Sequence, residues 1–307
     1  MNRPIYKFRD WFKININSYT IMDYLSTNPN AIDFLNENID KINWYSLSKN
    51  TSLKAIELLD KNIEKIDWYY LSSNPSAISI LEKYKERIHW DELSKNPNAI
   101  ELIKKNLNLI NWVYLSKNPC AYEILMENKD KIDWYYFSEN PSIKVIEFLS
   151  KNPEKIRFSM LNYNSTNEAI ILLSKYPDKI NWEYLSSNPS NEAIKLLRNN
   201  PDKINHFQLC YNINPEAIKL LDNKKINFNG LATNPNAIDL IKDNIDNIPL
   251  FIYLYLYKNP SIFVLDYEKM KKNNELLEEE ILKVVLHPRR VIRNMELFGF
   301  DIDDMFD

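Results

Sequence analysis

The sequence has almost no glycine: only Gly230 and Gly299 occur in 307 residues. A loop that cradles phosphate groups needs several glycines, because its backbone amides must approach the ligand closely. The scarcity of glycine therefore excludes nucleotide-binding loops of the Walker and dinucleotide types.

Cysteine and histidine are also scarce, at two and three residues. Cys120 and Cys210 lie four units of the sequence repeat apart, about 40 Å if helical layers stack at about 10 Å. That separation rules out an intrachain disulfide, and we expect both thiols to be buried or half-buried. No Cys/His group has the spacing of a zinc site, and no carboxylate pair predicts acid–base catalysis. We therefore predict no metal, no cofactor and no enzymatic activity.

Neither sign of charge dominates, and long apolar runs are missing. Thirty-nine Lys and Arg stand against 42 Asp and Glu, for a net charge of −3. This balance argues against nucleic acid as the partner, since phosphate neutralisation needs an excess of basic residues. The longest apolar run, residues 250–257, is too short to span a bilayer, and the first residues do not resemble a signal peptide. We expect a soluble intracellular or particle-packaged protein without membrane contact.

What the sequence has in abundance is self-similarity. Residues 65–88, 109–132 and 179–204 share a Trp, a Leu-Ser-x-Asn core and an apolar stretch after it. The steps between units are mostly 22 or 24 residues, and an aromatic slot three residues before each anchor holds six of the seven tryptophans. Eleven units follow from the anchor residues: Leu25, Leu47, Leu71, Leu93, Leu115, Phe137, Leu161, Leu185, Leu209, Leu231 and Leu256.

Each unit predicts two short helices. The first, α or 3₁₀, begins at the aromatic slot. Asn74-Pro75 illustrates the start of the second helix, because Pro fits the first helical position, and Ala77 to Leu81 supply its apolar stripe. The first helix is preceded by a residue of N-cap type in seven units: Asn43, Asp67, Asn111, Asp133, Asn181, Asn205 and Asn227.

One such helical pair cannot bury its apolar stripe alone, so neighbouring units must stack. We therefore predict an all-α fold, an α-solenoid or α/3₁₀-solenoid of about eleven repeats of 22–24 residues. Stacking at about 10 Å per layer makes it an extended structure about 100 Å along its curved axis. The repeats occupy residues 18–265, with an N-terminal cap at residues 1–17. Residues 266–307 form a C-terminal helical cap and acidic tail that closes the open end.

The Leu-Ser-x-Asn-Pro-x-Ala-Ile-x-Leu-Leu pattern, with Lys-Ile-Asn-Trp joining the units, resembles a family of helical repeat proteins of giant DNA viruses, mimivirus-like in type. The ending from His287-Pro-Arg-Arg to Gly299-Phe-Asp-Ile-Asp-Asp is similar to endings of that family. The 24-residue units also resemble leucine-rich variant repeats, in which α and 3₁₀ helices alternate, whereas the 22-residue units depart from that pattern. Neither resemblance implies a catalytic activity. The viral resemblance implies a location in the host cytoplasm, in a virus factory or in the virion.

Two recurring slots have both a structural and a binding interpretation. The tryptophans could stack on bases, but each shares a helix face with the anchor three residues later, so we interpret them as core between layers. The asparagines of the Asn-Pro pairs could read bases or peptide backbone, but we interpret them as helix N-caps. These asparagines are Asn28, Asn74, Asn96, Asn118, Asn140, Asn188 and Asn234.

Positions one and two after the aromatic slot differ between units, and specificity must lie where units differ. Exposed tyrosines along one edge would suit a protein interface, where Tyr is enriched. The alternative is that these rings cover neighbouring units and are structural. The candidate protein-binding residues are Tyr69, Tyr70, Tyr114, Tyr135, Tyr136 and Tyr184.

A second candidate surface is an acidic row on the second helices, which turns basic at Lys195 and Lys219 in later units. The alternative is an ordinary solvated helix face with i,i+4 pairs such as Glu101–Lys105 and Glu147–Lys151. The candidate residues of this row are Glu57, Glu101, Glu123 and Glu147.

These patterns predict a non-catalytic scaffold that binds a partner protein. A structural component of the virion or virus factory is one alternative. A repeat protein that binds single-stranded RNA, one base per repeat, is another, although balanced charge and the lack of a repeated basic slot count against it.

Overall fold

The computed structural model describes residues 4–13, 18–222 and 225–285, and it divides the chain into two compact units. One unit is Asp10–Ile262 and contains the repeats, and the other combines Met1–Arg9 with Phe263–Asp307. Residues 14–17 of the predicted N-terminal cap and residues 286–307 of the predicted tail lie outside the described residues. The all-α repeat architecture is confirmed.

Every repeat opens with a short α-helix, the first helix. In most repeats it begins at the aromatic-slot residue, and in repeat 11 a 3₁₀ helix, Leu254–Lys258, continues it. The first helices of repeats 1 to 11 are Tyr19–Thr27, Trp44–Leu47, Trp68–Ser73, Trp90–Leu93, Trp112–Lys117, Trp134–Glu139, Phe158–Leu161, Trp182–Ser187, His206–Leu209, Phe228–Thr233 and Leu250–Tyr253.

The seven predicted N-caps of the first helices are confirmed. Asn43 Oδ1, for example, accepts from the backbone N of Ser46 at 3.1 Å. Asn111 Oδ1 accepts from both Val113 and Tyr114 at 3.0 and 3.2 Å. These bonds satisfy backbone donors that a helix start otherwise leaves unpaired.

The second helix of each repeat follows the Asn-Pro position. In repeats 2, 7 and 8, where two extra residues precede it, Ser52, Thr166 or Ser190 caps it, as Ser190 Oγ does by accepting from Ala193 N at 3.1 Å. The second helices of repeats 1 to 10 are Ile32–Asn36, Leu53–Asp60, Ile78–Lys83, Ile100–Lys104, Tyr122–Glu127, Ile143–Lys151, Asn167–Ser174, Asn191–Asn199, Pro215–Ile218 and Ile238–Asp243.

The 3₁₀ helices mostly lie elsewhere than predicted, between the second helix and the next repeat. There the described ones are Ile39–Lys41, Ile63–Lys65, Lys85–Arg87, Lys129–Lys131, Pro153–Lys155, Pro177–Lys179, Pro201–Lys203 and Ile245–Asn247. Others, at the Asn-Pro position, are Pro97–Ala99, Pro235–Ala237 and Pro260–Ile262.

The core differs from the predicted one in its aromatic layer. All eleven anchors are buried, as predicted, but the six slot tryptophans are half-buried. A cation from the next repeat covers several of these rings, as Lys131 Nζ lies 4.6 Å from the centroid of Trp112. In four repeats the lysine before the joining Ile of the next repeat therefore shields the tryptophan: Lys65 lies over Trp44, Lys131 over Trp112, Lys155 over Trp134 and Lys203 over Trp182.

In seven repeats a serine directly after the anchor joins the repeat to the next one. Ser116 Oγ donates to the carbonyl of Trp112 at 2.8 Å and accepts from the backbone N of Asp133, in the next repeat, at 3.0 Å. Cys210 takes this place in repeat 9, where its Sγ accepts from Asn227 N at 3.3 Å. Burial raises the pKa of the Cys210 thiol. Cys120, by contrast, is exposed, so the expectation that it is buried or half-buried is wrong.

Buried asparagines form the second connection between repeats, which we call the asparagine ladder. Asn118 is typical: Nδ2 donates to the carbonyls of Ser94 and Asn96, each at 3.0 Å, and Oδ1 accepts from Cys120 N. These side chains therefore make the predicted capping bond within their own repeat and also donate to carbonyls of the preceding repeat. In the described chain the ladder has eleven members: Asn28, Asn50, Asn74, Asn96, Asn118, Asn140, Asn164, Asn188, Asn212, Asn234 and Asn259.

The ladder closes on itself, because repeat 1 binds repeat 11. Asn28 Nδ2 donates to the carbonyls of Tyr257 and Asn259 at 3.0 and 3.1 Å. The first helix of repeat 1 packs against the 3₁₀ helix of repeat 11, where the rings of Tyr24 and Tyr255 stack. The prediction of an open, extended stack is wrong: the repeats of this unit form a closed ring. We call the contact between repeats 1 and 11 the seam.

A short N-terminal segment reinforces repeat 11. Phe12 is buried, and its ring stacks on that of Tyr253 and meets Tyr257 edge-on, with both centroids at 5.0 Å. The hydroxyl of Tyr253 accepts from the backbone N of Lys13 at 2.8 Å. Residues that precede repeat 1 in the chain are thus packed onto the last repeat.

The second unit contains a two-stranded sheet and a long helix. Strand β1, Tyr6–Phe8, pairs antiparallel with strand β2, Phe263–Leu265, and places Phe8 opposite Phe263 with ring centroids 4.3 Å apart. The α-helix Tyr267–Val285 follows β2 and lies within residues 266–307, where a helical cap is predicted.

Candidate protein-binding surface

The candidate surface lies on the first helices, at positions two and five after the aromatic slot. These positions are i,i+3 neighbours on one helix face, and position five of one repeat meets position two of the next. Their aromatic and lysine side chains form what we call the aromatic–lysine band: Tyr24, Lys49, Tyr70, Lys95, Tyr114, Lys117, Tyr136, Tyr163, Tyr184, Tyr211, Tyr255 and Lys258.

Cation–π contacts connect neighbouring repeats in the band. Lys95 Nζ lies 4.0 Å from the centroid of the Tyr114 ring. Lys258 Nζ of repeat 11 lies at the same distance from the ring of Tyr24 in repeat 1. The band therefore continues across the seam with unchanged geometry.

Near repeats 2 and 3 the band is closed by rings from position one after the aromatic slot, Tyr45 and Tyr69. The hydroxyls of Tyr45 and Tyr70 are hydrogen-bonded at 2.7 Å, and Lys49 Nζ lies 3.9 Å from both ring centroids. This hydrogen bond raises the pKa of Tyr70 to about 12 and lowers the pKa of Tyr45. Tyr69 meets Tyr70 edge-on at 4.9 Å, so Tyr70 belongs to a tightly held cluster.

Repeats 7 and 8 carry a second closed pair. The rings of Tyr163 and Tyr184 lie 4.2 Å apart between centroids, and the neighbouring phenol of Tyr184 raises the pKa of Tyr163 to about 12. Tyr184 therefore has its ring covered by the preceding repeat.

A buried carboxylate orders the middle of the band. Glu92 is 4% exposed, and its Oε1 lies 2.5 Å from Lys95 Nζ. The same carboxylate, close to the Tyr69 phenol, raises the pKa of Tyr69. Glu92 thus fixes the ammonium group that covers Tyr114, which limits the rotamer freedom of both side chains.

Between repeats 5 and 6 the band is open. Tyr114 and Tyr136, at equivalent positions, leave a pocket of about 420 Å³ instead of stacking on each other. Among the described residues neither hydroxyl has a hydrogen-bond partner. The described residues that line the pocket are Lys95, Tyr114, Lys117, Pro119, Tyr136 and Pro141.

The predicted tyrosines are brought together in part. Tyr69 and Tyr135 are the more exposed ones, at 42% and 44%, and the other four are half-buried. Tyr135 meets Tyr136 edge-on at 5.3 Å, beside the pocket. The tyrosines therefore fall into three groups along the band: a cluster at repeat 3, the pocket at repeats 5 and 6, and the closed pair at repeat 8.

Sequence reasoning missed the lysines of the band. Lys49, Lys95, Lys117 and Lys258 all stand two residues after an anchor. Because that position is i+3 from the variable tyrosine position, the helical period alone could have indicated it.

The acidic row is exposed on the second helices, but its pairing differs from the prediction. Glu101 pairs with Lys104 at 2.8 Å, so the predicted pair with Lys105 is wrong. The ammonium group of Lys104 lowers the pKa of Glu101. Glu123 pairs at 2.5 Å with Lys144 of the next repeat. Glu147 lines a shallow cavity of about 210 Å³ between the second helices of repeats 6 and 7. Glu57 is exposed on its helix.

Within the described ranges, no three His, Cys, Asp or Glu side chains are grouped so that they could hold a metal ion. Nor does any helix of the described chain have both the length and the apolar composition needed to cross a membrane. Comparison with known proteins finds no matching family model, no matching curated protein and no matching solved structure.

Proposed function

We propose that the protein is a non-catalytic scaffold that binds a partner protein through the aromatic–lysine band. The observation that carries the proposal is the open pocket between Tyr114 and Tyr136. At the equivalent places in repeats 3 and 8, Tyr70 and Tyr184 contact a ring of the preceding repeat instead. Its volume of about 420 Å³ lies within the range of ligand pockets, about 300–1,000 Å³. A pocket of this size admits an anchor side chain or a short segment of a partner.

The side chains around the pocket are held before any partner arrives. Lys95 is ion-paired with buried Glu92 and lies over Tyr114, and Lys117 is ion-paired with Glu139 at 2.6 Å. Side chains that are already ordered lose less conformational entropy on binding. Tyrosine adds to this advantage, because it presents a large contact area with only two side-chain torsions.

Single-stranded RNA is the second candidate ligand, and the alternation of rings and lysines favours it. Aromatic side chains stack on bases while lysines follow the backbone in such proteins. Against RNA stand the ion pairs of Lys95 and Lys117 with Glu92 and Glu139. Binding of an oligouridine probe that weakens steeply with salt would favour this second candidate.

The test of the proposal is capture of a partner by the full chain under native conditions, quantified by mass spectrometry. The variant Tyr135→Ser/Tyr136→Ser removes rings next to the pocket, and we expect it to lower recovery of the partner about tenfold. The matched control is Glu123→Gln/Glu147→Gln on the second helices, which we expect to bind normally. Equal recovery by the folded tyrosine variant would overturn the proposal, and loss of binding only in the glutamine control would place the interface on the acidic row.

A further inference from the structure

We propose that the pocket between Tyr114 and Tyr136 binds an extended, proline-containing segment of a partner protein, with prolines three residues apart and an acidic residue beside them. This inference rests on the proposed function and specifies the partner. Four independent features of the pocket support it: its ring lining, its repeat spacing, its free hydroxyls and its charge.

The lining is aromatic and proline-rich on both sides. Repeat 5 contributes Tyr114 and Pro119, and repeat 6 contributes Tyr136 and Pro141. Segments in the polyproline II conformation bind in aromatic-lined grooves of this kind, because their preformed shape loses little entropy on binding.

The spacing of the two halves matches the period of such a segment. Polyproline II has three residues per turn and rises about 3.1 Å per residue, so every third residue recurs after about 9.3 Å. Helices packed side by side lie about 8–10 Å apart. A proline at Tyr114 therefore places the third residue after it at Tyr136, the equivalent position of the next repeat.

The free hydroxyls suit a ligand rich in acceptors. A polyproline II backbone makes no internal hydrogen bonds, so its carbonyls need external donors. The hydroxyls of Tyr114 and Tyr136, which have no partner among the described residues, can donate to them. Proline has no N–H, so it leaves no donor of its own unpaired in the pocket.

The charge of the pocket selects an acidic neighbour. Two lysines line it, and its described lining contains no carboxylate. The ion-pair partners lie deeper: the side chains of Glu92 and Glu139 are 6% and 18% exposed, against 37% and 52% for Lys95 and Lys117. An incoming segment therefore meets the ammonium groups of Lys95 and Lys117. Each has three N–H donors, so it can bind a further acceptor besides its ion-pair partner.

The first part of the test compares two peptides by fluorescence anisotropy with the full chain. Both are short labelled peptides of the same composition, with prolines and flanking aspartates. One has its prolines three residues apart, and the other has them four apart. We expect the first to bind about tenfold more tightly, a difference of about 1.4 kcal/mol. Equal binding of the two peptides, or binding of neither, would overturn the inference.

The second part uses matched variants. Tyr114→Ser should weaken binding of the first peptide about tenfold, and Lys95→Gln/Lys117→Gln should abolish its advantage over a peptide with Asn in place of Asp. Tyr267→Ser, at an exposed tyrosine outside the band, should bind normally. If circular dichroism finds Tyr114→Ser unfolded, Tyr114→Phe removes only the hydroxyl and should weaken binding about threefold.

Unchanged peptide binding by the folded Tyr114 variant also contradicts the inference, as does tighter binding of an oligouridine probe than of either peptide. Failure of the peptide tests leaves the proposed function standing if partner capture still depends on Tyr135 and Tyr136. Failure of both tests removes the function and the inference together.

Discussion

The side-chain amide of Asn28 donates to the backbone carbonyl of Asn259 at 3.1 Å, across 231 residues of chain. The same amide donates to the carbonyl of Tyr257, and its oxygen accepts from Asn30 N. Asn118 makes the equivalent bonds inside the repeat series. The seam is therefore held by the same chemistry as every other junction of the asparagine ladder.

Opening the seam should change the size of the molecule as well as its stability. Asn28→Ala leaves two buried carbonyls without their donor, and we expect a loss of about 2–4 kcal/mol. Combining it with Phe12→Ala removes the packing on repeat 11, and the radius of gyration in small-angle scattering should rise. Asn118→Ala is the control, with a similar loss of stability and no rise in size. If the double variant unfolds at low denaturant without first expanding, the seam does not open separately from the rest of the ring, and the prediction is contradicted.

Ala232 and Pro249 should behave as a coupled pair. Ala232 occupies the place of the linking serine, and Pro249 follows it by 17 residues, the separation between Cys210 and Asn227. Ala232 lacks the side-chain acceptor of the linking serine, and Pro249 has no N–H to donate. Neither residue therefore leaves an unpaired group at this junction. Pro249→Ala alone should lower the free energy of unfolding by about 1–3 kcal/mol, because it introduces a backbone N–H that has no acceptor. Adding Ala232→Ser supplies that acceptor and should recover about 1 kcal/mol of the loss.

A double-mutant cycle measured by urea unfolding checks this coupling. Ser116→Ala is the reference, because it removes both an acceptor for Asp133 N and a donor to Trp112. It should cost about 1–3 kcal/mol. Strictly additive effects at Ala232 and Pro249 would show that the two positions do not interact.

The half-buried tryptophans should contribute less than their size suggests. A fully buried Trp costs about 3–5 kcal/mol when replaced by Ala, but Trp112 is half-buried and covered on one side by Lys131. We expect Trp112→Ala to cost about 1–3 kcal/mol in thermal or urea unfolding. Leu115→Ala, at a fully buried anchor in the same helix, should cost at least as much, about 2–5 kcal/mol. A larger loss for Trp112→Ala than for Leu115→Ala would mean that the tryptophan contributes more than the anchor to the packing between repeats.

Gly230 should resist replacement, although it lies within a helix. An added Cβ would lie 2.8 Å from the Cβ of Cys210 and 3.0 Å from its carbonyl carbon. Gly→Ala in an open helix stabilises by up to about 1 kcal/mol, but the overlap here should make Gly230→Ala destabilising by about 1–3 kcal/mol. The neighbouring Asn229→Ala is the control. Its Oδ1 is buried and has no hydrogen-bond partner among the described residues, so its removal should be close to neutral. A stabilised Gly230→Ala would show that the two repeats can move apart at no cost.

Local structure was largely predictable from the sequence. The anchors and the seven N-caps depend on residues within one unit, and the structure places them as the pattern indicates. Short-range capping bonds form between residues two or three apart, so a single unit contains all the information for them. The burial of Trp112 was overestimated because the pattern identifies a helix face but not how far neighbouring layers cover it.

Ring closure was not predictable from helix patterns, because a small change in the angle between layers decides whether eleven of them close. One signal was present, however. Asn28-Pro29 keeps the full motif in repeat 1, where an open stack would offer Asn28 no preceding carbonyls. The lysines of the band stand five residues after the aromatic slot, outside the variable positions one and two on which the predicted tyrosine surface depends. The resemblance to viral repeat proteins stays a prediction.

Because the seam is equivalent to the other junctions, the place where the chain starts is arbitrary for the ring itself. Joining Asp10 to Ile262 through a linker and cutting the chain at the exposed turn Lys129–Lys131 would give a circular permutant with every rung of the ladder intact. The eleven repeats would then follow one another in rotated order around the same closed path. The buried asparagines determine which repeats are neighbours around the ring, and they do not determine at which repeat the polypeptide begins.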